Sequence, residues 1–139
     1  MIAGVADTHA ALWDLFNDPR LSSFYRKALA AGNFIDQAAA AGNQVVVSSI
    51  SLAEIVYLVE KNRLPTNAYA DLKAALDDPD HVFKEVSFTG DVVDAMRQVP
   101  RTEVPDMPDR IVAATGVYLG VPVISRDGRI RASNVQTVW

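Results

Sequence analysis

The chain has 139 residues, 50% of them hydrophobic and 22% charged, with a formal net charge of −4 at pH 7; that fits one globular domain with one core and excludes a disordered chain. Without cysteine it can form neither disulfides nor thiolate zinc sites, and no apolar run reaches the roughly eighteen residues of a membrane-spanning helix. The acidic balance excludes a protein that grips nucleic acid through a broad basic surface alone, but not a nuclease whose clustered carboxylates lower the net charge.

Ile2 to Ala6 reads as a short buried strand ending at Asp7. With no basic leader, and an acid within the strand's reach, this segment is not expected to be a signal peptide. Ala10 to Phe16 has helical spacing, and Leu12, Trp13 and Phe16 read as packing rather than as a base-stacking platform. Asn17-Asp18-Pro19 is predicted to end that helix. Ser22 to Ala41 is alanine-rich and helical, with Gly32-Asn33 predicted to end one helix and start another.

Gln44 to Val47 is a second strand, terminated by Ser48-Ser49. Ser51-Leu52-Ala53-Glu54 opens a helix to about Lys61, with Leu52, Ile55, Val56 and Val59 on its apolar side. Pro65-Thr66 starts the next helix, which runs to about Leu76 before the turn at Asp77-Asp78-Pro79-Asp80. Val82 to Val86 is a third strand and Gly90 to Gln98 a helix. After the polar Pro100–Pro108 loop, Asp109 to Leu119 reads as a buried helix through Ile111, Val112, Ala114, Thr115 and Tyr118, capped by Gly120. Val121–Ile124 and Val135–Val138 complete the strands, joined by Ser125-Arg126-Asp127-Gly128 and a short helical turn. Strands alternating with helices imply an α/β fold, a parallel sheet covered on both faces, in a single domain over residues 1–139.

Asp7, Glu54, Asp109 and Asp127 each fall where a strand gives way to a turn or helix. Each also has a structural explanation. Asp7 can cap a helix, and Ser51-x-x-Glu54 has the form of a capping box. Asp109 suits the first turn of a helix that Asp106 can cap, and Asp127-Gly128 is a common turn dipeptide. Together they say more. Open α/β sheets build sites beyond the carboxyl ends of their strands, near a switch in strand order. Carboxylates gathered there repel one another unless a cation lies between them. An all-carboxylate set suits a hard divalent cation, Mg2+ or Mn2+, and with it phosphate-ester chemistry. Arg110 and Arg126 stand beside two of the acids, able to steady phosphates or to form ion pairs; His9 can donate to substrate or a carboxylate but is read first as a structural hydrogen-bonder, and His81 as exposed.

These residues give the chain its resemblance to PIN-domain proteins of the VapC-like toxin type. The likeness rests on Asp7-Thr8-His9-Ala10 with Leu12-Trp13, on Val47-Ser48-Ser49-Ile50-Ser51-Leu52-Ala53-Glu54-Ile55, on Pro105-Asp106-Met107-Pro108-Asp109-Arg110 running into Ile111–Thr115, on Val123-Ile124-Ser125-Arg126-Asp127, and on Val135–Trp139. It implies a three-layer α/β/α sandwich with a five-stranded parallel sheet. It also implies a Mg2+- or Mn2+-dependent ribonuclease, cytoplasmic and dimeric, silenced by a VapB-like antitoxin. The family's acids map onto Asp7, Glu54, Asp109 and Asp127, with Asp106 as an outer or additional ligand and Thr8 and Ser125 as supporting hydroxyls. Two other classes compete. An aspartyl phosphatase fits poorly, because Asp7-Thr8-His9 lacks a second acid and no downstream lysine completes that site. A catalytically silent metal- or partner-binding module would keep the fold without turnover.

Overall fold

Val45, Val46 and Val47 send their side chains alternately to two faces of one sheet, and the two faces carry separate cores. The computed structural model describes residues 1–16 and 25–139, the side chains of 25–29 excepted. In chain order the described elements are β1 (Ile2–Ala6), α1 (Thr8–Phe16), α2 (Tyr25–Ala40), β2 (Gln44–Ser48), α3 (Ser49–Glu60), α4 (Ala68–Asp77), β3 (Phe83–Val86), α5 (Gly90–Met96), α6 (Met107–Leu119), β4 (Val123–Ile124), α7 (Gly128–Ala132) and β5 (Thr137–Val138). The sheet runs β3-β2-β1-β4-β5 with every described pairing parallel. This is the expected three-layer α/β/α sandwich. Ala6, Val45, Val47 and Ile124 face Leu12, Ile35, Ile55 and Leu72 of α1 to α4. On the other side Val5, Val46 and Val123 face Val92, Met96, Ile111 and Val112 of α5 and α6, with Ile130 of α7.

The chain leaves β1 toward β2 and β3, then returns to place β4 and β5 on the other side of β1. The switch in strand order therefore lies between β1 and β4, whose carboxyl ends carry Asp7 and Ser125-Arg126-Asp127. Close packing keeps this edge in place. A Cβ added to Gly116 of α6 would sit 2.6 Å from Val123 Cγ2, so only glycine lets the helix approach β4 this closely. Gly120 ends α6 in the left-handed conformation, φ 68°.

Four expectations need correction. Gly32-Asn33 does not break the helix: α2 continues through it, because Ala31, Ile35 and Ala38 form one buried stripe that outweighs the roughly 1 kcal/mol glycine costs in a helix. The third helix starts at Ser49 rather than Ser51, capped by Ser48, whose hydroxyl accepts from the Ile50 N–H. On the apolar faces, Val56 and Tyr118 are exposed rather than buried. His81 is only half-exposed, with Nδ1 accepting from the Phe83 N–H at 3.0 Å and its ring against Phe83. The predicted stop at Asn17-Asp18-Pro19 and the start at Ser22 lie outside the described residues.

Candidate active site

Asp7 leaves the end of β1 almost wholly buried, 8% exposed. One of its oxygens caps α1, accepting from the Ala10 N–H at 2.8 Å. Burial raises its pKa. The Ser125 hydroxyl, the Ala10 N–H and His9 lower it in part, and the Asp127 charge adds to the rise. The capping reading of Asp7 is thus true of one oxygen, which leaves the group free for other work.

Asp127 does a similar double duty on the adjacent strand. It caps α7 by accepting from the Arg129 and Ile130 N–H groups at 2.9 and 3.1 Å, while its own N–H donates to Ser125 Oγ at 3.0 Å. Ser125, fully buried, therefore binds both acids, as donor to Asp7 and acceptor from Asp127. Thr8 plays the matching part on the other flank. Its hydroxyl donates to Ser51 Oγ at 2.8 Å, tying α1 to α3 in a buried setting.

Because Ser48 caps α3, Glu54 lies in the middle of that helix rather than in a capping box. The structural explanation for Glu54 is therefore gone, and its side chain lines the same cleft as the other acids. Asp106 caps α6, accepting from the Asp109 N–H at 3.1 Å. Asp109 is the most perturbed of the group: burial, then the charges of Asp106, Asp127, Glu54 and Asp7, push its pKa up to about 7. Four other carboxylates are thus felt at one point.

The cleft has a volume of about 470 Å3 and is lined by Asp7, His9, Glu54, Leu58, Arg63, Leu64, Asp106, Asp109, Arg126 and Asp127. All four candidate acids and Asp106 meet there; Thr8 and Ser125 lie beneath it. The two candidate arginines part company. Arg110 turns away, donating from Nε to the Val99 carbonyl at 2.8 Å and from Nη2 to the Met96 carbonyl at 3.0 Å, which closes the C-terminus of α5. Arg126 stays in the cleft wall, its guanidinium 4.2 Å from the centre of the Trp13 ring. Trp13 in turn meets His9 at 5.6 Å and Trp139 edge-on at 5.7 Å.

Arg63, Leu58 and Leu64 were not foreseen. A signal for Arg63 existed: asparagine is the commonest non-glycine residue in a left-handed helix stop. Asn62 takes φ 58°, and the Arg63 N–H returns to the Leu58 carbonyl at 2.9 Å, which delivers Arg63 and Leu64 to the cleft.

Among the described residues no three acids stand close enough together to ligate one ion as placed, so the side chains have to close on a cation to hold it. The donor set fits a hard divalent cation: every acid is an oxygen donor, and a cation would offset the repulsion that adds to burial in raising the pKa of Asp109.

A family model described as PIN domain matches residues 5–134. No curated protein matches the sequence. Among solved structures the chain is similar to VapBC2 from Rickettsia felis bound to a DNA fragment from their promoter, with 17% identity, TM-score 0.68, and 99% of this chain and 97% of the other covered. It is also similar to a toxin-antitoxin complex from Klebsiella pneumoniae, at 21% identity and TM-score 0.61, covering 99% and 97%. A third is FitAcB from Neisseria gonorrhoeae, at 21% identity and TM-score 0.59, covering 100% and 97%. At these identities the likeness is one of fold.

Proposed function

The chain belongs to the PIN-domain family, and from that premise we propose that it is a Mg2+- or Mn2+-dependent endoribonuclease, the toxin of a toxin–antitoxin pair. The observation that carries the reading is the convergence on Asp109. Acids from four separated segments line one cleft at the strand-order switch, and burial together with their charges raises the pKa of Asp109 to about 7.

In this reading Asp7, Asp109 and Asp127 hold the cation, with Glu54 at its edge and Asp106 in an outer or additional place. The cation, when bound, polarises the phosphoryl oxygen and lowers the pKa of the attacking water. Glu54 orients that water or takes its proton. Arg126 steadies the phosphate, whereas Arg110 is spent on α5 and is not assigned to substrate. Ser125 keeps Asp7 and Asp127 in place, and Thr8 ties α1 to α3, the helix that carries Glu54. The similar solved structures named for toxin–antitoxin complexes support a VapB-like antitoxin as partner, and a homodimer is part of the same proposal. No described helix is long and apolar enough to cross a membrane.

The test is incubation of the partner-free protein with total RNA, with and without Mn2+ or Mg2+, beside Asp109→Asn. Metal-dependent cleavage lost in the variant is expected, a fall of at least about a hundredfold if several kcal/mol of transition-state stabilisation go with the cation. Equal cleavage by the variant would place the site elsewhere. Metal binding without cleavage would favour the silent binding module.

A further inference from the structure

Arg126 is exposed, yet it lies 4.2 Å over the Trp13 ring. An arginine on a surface loses rotamer freedom when held in one place, so a fixed position needs a partner that favours it. Trp13 supplies one such contact through the negative face of its ring. Trp13 is itself only 7% exposed and is met edge-on by Trp139, which packs against the core on that face of the sheet. The chain of contacts runs from the residue after β5, through α1, to the guanidinium beside Asp127. Trp13 is too buried to receive a base itself, so its effect on a ligand has to pass through what it holds.

We propose that Trp139 and Trp13 are positioning residues, which hold the Arg126 guanidinium against the cleft for a phosphate of the RNA backbone. The inference rests on the nuclease reading of the same cleft. Arg126 contacts the substrate; the tryptophans act only through it.

The experiment is a double-mutant cycle in steady-state kinetics with Mn2+ and a labelled single-stranded RNA that the unaltered protein cleaves. Arg126→Ala is expected to raise KM about tenfold, as loss of a charged hydrogen bond does, with kcat within about twofold. Trp139→Leu is expected to raise KM about threefold, the scale of an exposed cation–π contact. In the Arg126→Ala background it adds nothing, because the group it positioned is gone. Trp139→Phe, which keeps an aromatic edge, returns KM to nearly the original value. Should Trp139→Leu not fold, Trp139→Met runs the same cycle. Factors that multiply in the double variant, or a lowered Tm with KM unchanged, would overturn the positioning role while leaving the nuclease standing. Failure of the unaltered protein to cleave any RNA would instead sink the nuclease reading, and this inference with it.

Discussion

Carboxylates are crowded in two places, and the contrast between them separates a site from an accident of packing. In the cleft, Asp109 is pushed to about 7 by burial and by four other acids. Between α1 and α2, Asp14 is pushed to about 6 by burial and by Asp36 alone. The shifts are similar in kind. The surroundings are not: the cleft acids come from four chain segments, and two of them, Asp7 and Asp127, are pinned by Ala10, Ser125, Arg129 and Ile130. Asp14 and Asp36 sit on two consecutive described helices and are not among the residues that line this cleft. A raised pKa marks burial and repulsion; only convergence on a shared cavity marks a candidate site.

The sharpest division between the two places is in activity. Asp109→Asn should lower cleavage by at least about a hundredfold, whereas Asp14→Asn should leave it within about twofold. Comparable losses from both would erase the distinction.

Next in size is Ser125→Ala. It removes the donor to Asp7 and the acceptor for the Asp127 N–H in one change. Groups that orient metal ligands typically account for about tenfold to a hundredfold in affinity. Calorimetric titration with Mn2+ should show a loss in that range, and an unchanged affinity would mean that Asp7 and Asp127 are held by their caps alone.

How much of this contrast was visible in the sequence depends on the length scale. Asp7 and Asp127 were legible because they follow the apolar runs of β1 and β4, Asp109 because it opens a buried helix, and Asp106 as the cap of α6 follows from Asp-x-Pro-Asp itself. Glu54 was legible for a weaker reason than the structure supplies. Ser51-x-x-Glu54 looks like a capping box, but β2 passes into α3 with no loop between them, so Ser48, the last strand residue, becomes the cap. Gly32 misled because local propensity favours a stop, while tertiary burial of Ala31, Ile35 and Ala38 overrides it. Arg110 and Arg126 are each neighbours of an acid in sequence. Only the packing of α5 against α6 and of α1 against Trp139 sends one away and keeps the other. For Arg63 and Leu64 the chain records only the helix stop at Asn62, not the cleft to which it returns them.

Proton release sharpens the comparison further. Asp109, protonated below about 7, has to lose its proton to bind a cation. Mn2+ affinity should therefore rise about tenfold between pH 6 and pH 8, the change in ionised fraction of a group titrating near 7. Asp109→Asn should flatten that dependence, and Asp14→Asn should not touch it.

The smallest effect belongs to the α1–α2 pair, and its sign can be fixed in advance. Asp14 has a folded pKa of about 6 against an ordinary 3.8, so the folded protein binds this proton more tightly than the unfolded chain does. Its contribution to stability is complete below 3.8 and is lost as pH rises through about 6. Asp14→Asn cannot ionise, and at pH 7 to 8 it should be more stable by about 1 kcal/mol, a figure reduced for the solvent that screens a partly exposed pair. Below pH 4 the gain should vanish. Denaturant melts at the two pH values, with and without Mn2+, read the outcome. A gain indifferent to Mn2+ marks a pair strained only by packing, whereas a gain abolished by Mn2+ would make Asp14 and Asp36 a second cation site and end the contrast with the cleft.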